Sequence, residues 1–161
     1  MGLLDKIKDL FSNKQNKKEE VVVKNELGNF YLDKEHYYYT GNITIDDLKI
    51  YVLVNVNKED IEGSSQFSTL IYIYPKLKSM ISKAKEHLVK NSLKAINYGV
   101  TNQDDIVSEE KFLSELTNVS ITIDIDNDFK LYFENLDCLG GHSIEILYDK
   151  RLNIKKDRMV G

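Results

Sequence analysis

The residues best suited to chemistry lie together in one loop near the C-terminus. Cys138 and His142, with Asp137 beside them, are the only nucleophile and base that share a loop. Their spacing is not a recognised catalytic arrangement, and a lone cysteine more often acts as a small apolar side chain. Gly140-Gly141 precedes a predicted strand and not a helix, which argues against a phosphate-binding turn. We therefore assign no catalytic residue and treat Asp137, Cys138 and His142 as a candidate functional loop.

Two further patterns could bind metal ions, and both fail on spacing. One acidic run resembles the beginning of a calcium loop: Asp124, Asp126 and Asp128. However, Phe129 stands where such a loop needs glycine, and Asn135 stands where it needs a bidentate glutamate. The three histidines, His36, His87 and His142, match no zinc-binding spacing. The chain also has no second cysteine that could act as a zinc ligand. The sequence predicts neither a metal site nor a cofactor.

Charge is distributed along the chain in blocks. The 161 residues carry a net charge of −4, yet residues 100–149 alone sum to −10, counted from twelve carboxylates and two lysines. Residues 25–75 sum to −5, whereas residues 76–99 sum to +5 and residues 150–161 to +4. A surface made from the −10 block would repel nucleic acid and attract basic proteins. The charge pattern thus argues against a nucleic-acid partner and favours a basic protein partner. The alternative is that the acidic block forms an ordinary solvated face with no binding role.

Tyrosines and acids together indicate where a protein partner would bind. The run Tyr37-Tyr38-Tyr39 and the nearby Tyr51 exceed what core packing requires, and exposed tyrosines favour protein interfaces. Strand alternation places Tyr38 on the face opposite Tyr37 and Tyr39. The predicted partner-binding residues combine these tyrosines with the acidic block: Glu109, Glu110, Asp124, Asp126, Tyr38 and Tyr51.

The chain divides into a short N-terminal unit and one larger domain. Residues 2–12 have apolar side chains at helical spacing, and the polar residues 13–20 indicate a linker. We therefore expect an amphipathic helix and linker over residues 1–20 and a single domain over residues 21–161. The helix would pack on its own domain, dock to a partner or lie on a membrane surface. The start lacks the pattern of a secretory signal, and the single cysteine excludes an internal disulfide framework, so we expect a cytoplasmic protein.

Periodicity predicts an α+β fold for residues 21–161. Alternating residues around 30–56 indicate three strands, and Leu48 to Val56 give the clearest alternation. Helical spacing follows from Ser64, a predicted N-cap, to Gly99, with a break or kink at Pro75 and with Phe67, Leu70, Ile71 and Tyr74 on the buried side. A third helix is predicted at 109–116 with Ser108 as its cap, followed by three more strands and a basic tail. The expected fold is an antiparallel sheet of about six strands, in the order β-β-β-α-α-α-β-β-β, with helices on one face.

Several short motifs resemble a family of small bacterial proteins of unknown function. They are Leu27-Gly28-Asn29-Phe30-x-Leu32-Asp33, the aromatic run at residues 37–39, Gly141-His142-Ser143-Ile144 and the final Val160-Gly161. The resemblance would cover residues 25–161 and leave the N-terminal helix as an accessory. It implies no established activity, and it gives His142 no role. Some members look like immunity proteins, whereas the basic run Lys155-Lys156-Asp157-Arg158 departs from the family's expected ending.

These observations favour a non-enzymatic protein-binding domain, with the role of an immunity protein that occludes a basic toxin such as a nuclease. Two alternatives stay open. A small hydrolase or metal-dependent enzyme would be centred on His142, Cys138 and Asp137. A membrane-surface adaptor would use residues 2–12.

Overall fold

The computed structural model describes residues 22–161. The predicted helix and linker of residues 1–20 lie outside the described residues. Four strands come first: β1 (Val22–Asn25), β2 (Gly28–Asp33), β3 (Tyr38–Ile45) and β4 (Leu48–Asn55). Two helices follow: α1 (Ser64–Ile96) and α2 (Glu109–Glu115). Four more strands complete the domain: β5 (Val119–Ile123), β6 (Phe129–Leu136), β7 (His142–Tyr148) and β8 (Ile154–Val160).

All eight strands form one sheet in which spatial order follows chain order, from β1 at one edge to β8 at the other. Six neighbouring pairs are antiparallel. The exception is the central pair, β4 and β5, which runs parallel with Tyr51 opposite Ser120 and Val54 opposite Ile123. A parallel pair needs a crossover connection, and α1 with α2 provides it. The predicted α+β class, with a mostly antiparallel sheet, is confirmed.

The number and order of elements differ from the sequence prediction. The sheet has eight strands and not about six, and two helices replace the predicted three. The tail that we expected beyond residue 150 forms β8, an edge strand. Its alternation is hard to recognise because Lys155, Lys156 and Arg158 fill exposed positions. Charged side chains, lysine above all, are typical of edge strands because they discourage pairing with another chain.

Helix α1 is continuous over 33 residues, so Pro75 does not break it into the two helices that we predicted. Proline removes one backbone hydrogen bond and typically costs about 3 kcal/mol inside a helix. The buried stripe continues on both sides of the proline and outweighs that cost: Leu70, Ile73, Leu77, Met80, Ile81, Ala84 and Leu88. Ile71, predicted in this stripe, is 38% exposed, and Tyr74 is only half-buried.

Both ends of α1 also differ from the prediction. The N-cap is Gly63 and not Ser64. Gly63 has a φ of +62°, and a Cβ there would lie 2.5 Å from Val56 Cγ1, so both the backbone and the packing require glycine. At the other end the helix stops before Gly99, at Ile96. The Asn97 side chain then holds the Val107 backbone through two hydrogen bonds of 2.8 and 2.9 Å.

The short helix α2 agrees closely with its prediction. Ser108 Oγ accepts a hydrogen bond from the Lys111 backbone N–H at 3.1 Å, which confirms Ser108 as the N-cap. Val107 and Phe112 on either side of the cap are both buried. Neither helix in the described part of the chain is long and apolar enough to cross a membrane.

One continuous core joins α1 to one face of the sheet. It includes the alternating residues of the central strands, such as Ile50, Val52 and Val54, which pack with the α1 stripe. At the β2–β3 side Phe67 of α1 makes edge contacts with two aromatic rings, Phe30 and Tyr39, with ring centroids 5.2 Å apart in each pair. The residues that alternate with these core residues along the strands are mostly polar and form the other face of the sheet. The candidate site lies on this face and at the end of the sheet where β4 and β5 finish.

Candidate protein-binding site

Because β4 and β5 are parallel, both strands end at the same end of the sheet. Three loops meet there: the β2–β3 turn at residues 34–37, the segment 56–63 that leads to α1, and the β5–β6 turn at residues 124–128. Ligands of parallel sheets commonly bind beyond the carboxyl ends of the strands. In this chain a cleft of about 570 Å³ lies at that position.

Two carboxylates line the cleft and acid-rich loops surround it, so we call it the acidic cleft. Its lining consists of His36, Tyr37, Asn55, Val56, Asn57, Lys58, Asp124, Ile125 and Asp126. The loops around it, with the ends of the strands that they join, carry more acids than lysines: Asp33, Glu35, Glu59, Asp60, Glu62, Asp124, Asp126 and Asp128 against Lys34, Lys58 and Lys130. A concave surface with this charge attracts cationic side chains.

Asp124 is held in place from both sides. Its Oδ1 accepts a hydrogen bond from Asn55 Nδ2 at 2.9 Å, and its Oδ2 lies 2.5 Å from Lys130 Nζ. The turn that follows is fastened to α1, because Gln66 Nε2 donates to the Ile125 carbonyl at 2.6 Å. Asp126 stays exposed. One wall of the cleft is therefore rigid, with one carboxylate neutralised by Lys130 and the other open to solvent.

The opposite wall contains an ion pair. His36 Nδ1 lies 3.1 Å from Asp33 Oδ2, and Asp33 also accepts from the backbone N–H groups of Glu35 and His36. The hydrogen bond with His36, together with those backbone donors, lowers the pKa of Asp33 to about 2. The same hydrogen bond and the charge of Asp33 raise the pKa of His36. Tyr37 beside it has a φ of +56°, an unusual conformation for tyrosine.

Tyr38 and Tyr51, both predicted to bind a partner, lie on the sheet face that α1 leaves uncovered. Tyr38 pairs with Asn55 of β4, and a hydrogen bond with Asp33 raises the pKa of its hydroxyl. Tyr51 is 46% exposed and pairs with Ser120 of β5. Tyr38 therefore lies next to the acidic cleft, whereas Tyr51 lies farther along the same uncovered face, opposite the beginning of β5 and outside the cleft lining.

Glu109 and Glu110 lie elsewhere. They form the exposed first turn of α2, ahead of the beginning of β5, whereas Asp124 and Asp126 follow its end. Val107, just before α2, bonds Asn97 at the C-terminal end of α1. Ile125 instead bonds Gln66 at the N-terminal end of α1, so the two groups lie toward opposite ends of that helix. The six predicted partner-binding residues thus do not lie together. The acidic residues that complete the cleft come from the −5 block at residues 25–75, a signal that was visible in the sequence.

The candidate loop at residues 137–142 does not assemble a nucleophile with a base. Asp137, Cys138 and Leu139 form a short 3-10 turn, and His142 begins β7 opposite Leu136. Within residues 22–161 no hydrogen bond joins Cys138 to His142. Instead, the backbone N–H of Cys138 donates to Glu115 Oε2 of α2 at 2.9 Å. Burial, together with the hydrogen bond to Glu115 and its charge, raises the pKa of the Cys138 thiol to about 11.

This thiol is therefore expected to be unreactive. A pKa two units above the ordinary 9.0 lowers the thiolate fraction, and the greater nucleophilicity of a more basic thiolate offsets part of this loss. We expect alkylation at pH 8 to be about 10-fold slower than in the urea-unfolded chain. Glu115→Gln removes one cause of the shift and should speed the reaction. Since the chain has one cysteine, reaction with iodoacetamide measures this site directly. Equal rates in the folded and unfolded chains would show a reactive thiolate and revive the nucleophile hypothesis.

A buried charge on the uncovered face was missed by the sequence reasoning. Glu145 is only 7% exposed, and it accepts hydrogen bonds from Tyr132 at 2.8 Å and from Arg158 Nε at 2.7 Å. Burial raises its pKa, but the hydrogen bonds from Arg158 and Tyr132 and the nearby positive charges more than offset this, so the net shift is downward. The pairing of β6, β7 and β8 brings Tyr132, Glu145 and Arg158 together, and no local sequence pattern predicts this contact. In the described part of the chain, no three His, Cys, Asp or Glu residues are grouped to hold a metal ion.

Comparison with known proteins gives a family but no biochemistry. No curated protein and no solved structure matches this chain. A family model described as "uncharacterized protein conserved in bacteria (DUF2262)" matches residues 24–159, a span that includes every strand from β2 to β7 and both helices. The acidic cleft, Tyr38 and Tyr51 all fall within that span. This chain therefore belongs to that bacterial family, which has no assigned function.

Proposed function

We propose that this chain is a non-enzymatic protein-binding domain, and that it serves as an immunity protein that neutralises a basic toxin. The binding surface consists of the acidic cleft with Tyr38 beside it, and it continues along the uncovered face of the sheet to Tyr51. The proposal applies to the domain of residues 22–161 and requires no contribution from the N-terminal segment.

One observation carries the proposal: acid-rich loops surround a concave site at one end of the sheet, and Tyr38 lies beside it, stacked on His36 and paired with Asn55. A lysine or arginine side chain of a partner fits this arrangement, because the carboxylate of Asp126 is exposed at the cleft and acid-rich loops surround it. Tyr51 adds a large amphipathic contact at low conformational cost. Long-range attraction between unlike charges would speed capture, and added salt would slow it.

The test compares two charge-reversal variants that change the net charge equally. The first, Asp126→Lys with Glu62→Lys, alters the loops around the acidic cleft. The second, Glu109→Lys with Glu110→Lys, alters the first turn of α2. Each protein is used to capture partners from the native host at low and moderate salt, and retained proteins are identified by mass spectrometry. Kd values are then measured with the purified partner.

We expect a stoichiometric basic partner that the wild type and the α2 variant retain and that the cleft variant loses. In the purified complex the cleft variant should bind at least about 10-fold more weakly, equal to about 1.4 kcal/mol. Tyr51→Ala should also weaken binding, whereas Thr44→Ala on the exposed part of β3 should not. If the α2 variant alone lost the partner, the interface would be at α2 and the cleft would be the wrong site.

The immunity role has its own test. The captured partner is expressed in a heterologous bacterium with wild-type protein, with the cleft variant or alone. We expect growth arrest by the partner alone, relief by the wild type and no relief by the variant. A partner that binds at the cleft but does not inhibit growth would refute the immunity role and leave protein binding in place.

A further inference from the structure

A second cavity lies between α1 and the turn that joins β7 to β8. Its volume is about 640 Å³, and it shares no lining residue with the acidic cleft. Part of its wall is apolar: Pro75 and Met80 of α1, and Leu152 and Ile154 of the turn and β8. Three cations complete the lining: Lys76, Lys83 and Arg151. No carboxylate lines this cavity.

The three cations form no ion pair, like most basic residues in the described part of the chain, although the charge of Arg151 acts on Asp149 two residues earlier. Across residues 22–161, Lys78, Lys130 and Arg158 each form an ion pair, with Asp46, Asp124 and Glu145 respectively. None of Lys76, Lys83 and Arg151 does so in the same part of the chain. Lys76 Nζ instead lies 3.2 Å from the centre of the Tyr72 ring. Three like charges around one concavity repel each other, and an anion placed among them would relieve that repulsion.

The turn that carries Arg151 is held in a fixed shape. The Asp149 carboxylate accepts hydrogen bonds from the backbone N–H groups of Arg151 at 2.8 Å and Asn153 at 2.9 Å. Leu152 between them has a φ of +63°, which a leucine adopts only when its surroundings demand it. The backbone of the turn therefore places both Arg151 and the apolar Leu152 at the cavity.

We propose that this cavity binds a small amphipathic anion, with an acidic head group among Lys76, Lys83 and Arg151 and an apolar body against Pro75, Met80 and Leu152. Its volume is within the range of about 300–1,000 Å³ typical of small-molecule sites. Pairing an apolar wall with a few convergent charges is the usual composition of such sites. This site is independent of the protein-binding surface proposed above.

Two probes of similar shape separate the charge contribution from the apolar one. 1-Anilinonaphthalene-8-sulfonate carries a negative charge, and N-phenyl-1-naphthylamine is its uncharged counterpart. The variant Lys83→Gln with Arg151→Gln removes two cations from the cavity. The matched control, Lys90→Gln with Lys94→Gln, removes two exposed cations farther along α1. Fluorescence titration gives each Kd, and thermal unfolding verifies that all proteins are folded.

We expect the anionic probe to bind the wild type at one site and to be displaced by laurate. The cavity variant should weaken this binding at least about 10-fold, while the control changes it less than about twofold. The uncharged probe should bind the wild type more weakly than the anionic probe and should be unaffected by the cavity variant. Non-saturable binding, or equal affinity of the cavity variant and the wild type for the anionic probe, would overturn the proposal.

Discussion

Replacing Gly41 with alanine is expected to destabilise the domain by about 3 kcal/mol, at the upper end of the usual cost of overpacking a core. A Cβ at this position would lie 2.5 Å from Cδ1 of Phe30 and 2.7 Å from the backbone oxygen of Asn29. Both are too close for any real contact. The Phe30 ring is fully buried and packs against Phe67, so it has no space into which to move. Urea unfolding gives the free energy of each variant.

A second substitution identifies the Phe30 ring as the cause. Phe30→Val removes the δ and ε ring atoms that obstruct a Cβ at Gly41, so the double variant should be more stable than the two single losses predict. The rescue should be incomplete, because the Asn29 oxygen stays in place. Thr44→Ala, at an exposed position of β3, should change stability by less than about 1 kcal/mol. Strict additivity of the two losses would show that Phe30 and Gly41 do not contact each other.

Ile73→Ala should cost about 3 kcal/mol, whereas Ile71→Ala should cost less than about 1 kcal/mol. Ile73 is completely buried between α1 and the sheet, and its loss leaves a cavity. Ile71 is 38% exposed on the same helix, so the two variants remove the same atoms from different environments. Both substitutions give the helix a residue of higher intrinsic propensity, so propensity does not produce the difference. The measurement is again urea unfolding.

The comparison tests the orientation of α1 directly. Helical spacing in the sequence placed Ile71 on the buried side, and the structure places Ile73 there instead. A larger loss for Ile71→Ala than for Ile73→Ala would mean that the helix is turned about its axis. Equal losses at both positions would mean that the first turns of α1 are buried all round.

Local signals predicted well where the neighbouring residues decide the outcome. The β5–β6 hairpin follows from the alternation of apolar and polar residues in its strands. The cap at Ser108 follows from a local hydrogen bond, because its side chain accepts from the backbone N–H three residues ahead. Pro75 misled because its local cost is outweighed by buried side chains on both of its sides. The β8 strand was missed because its lysines and arginine suit an edge whose outer side faces water.

The site could be predicted only in part because it depends on which strands meet. Charge summed along the chain joined Glu109 and Glu110 to Asp124 and Asp126, but β5 places the two groups at opposite ends. The parallel pairing of β4 with β5 gathers acids from residues 33–62 beside Asp124 and Asp126, and no local pattern specifies that pairing. The raised pKa of Cys138 depends likewise on Glu115, which another element supplies.

The single parallel pairing also sets how the domain can fold. Six of the seven strand pairings join strands linked by five residues or fewer, and such contacts form quickly because closing a short loop costs little entropy. Only β4 and β5 must find each other across a long intervening segment, with α1 and α2 between them. The two antiparallel meanders, β1–β4 and β5–β8, can therefore form independently. We expect the pairing of β4 with β5, which brings the meanders together, to be the slow step of folding. Residues of β4 and β5 should then govern the folding rate, while the outer strands govern mainly the unfolding rate.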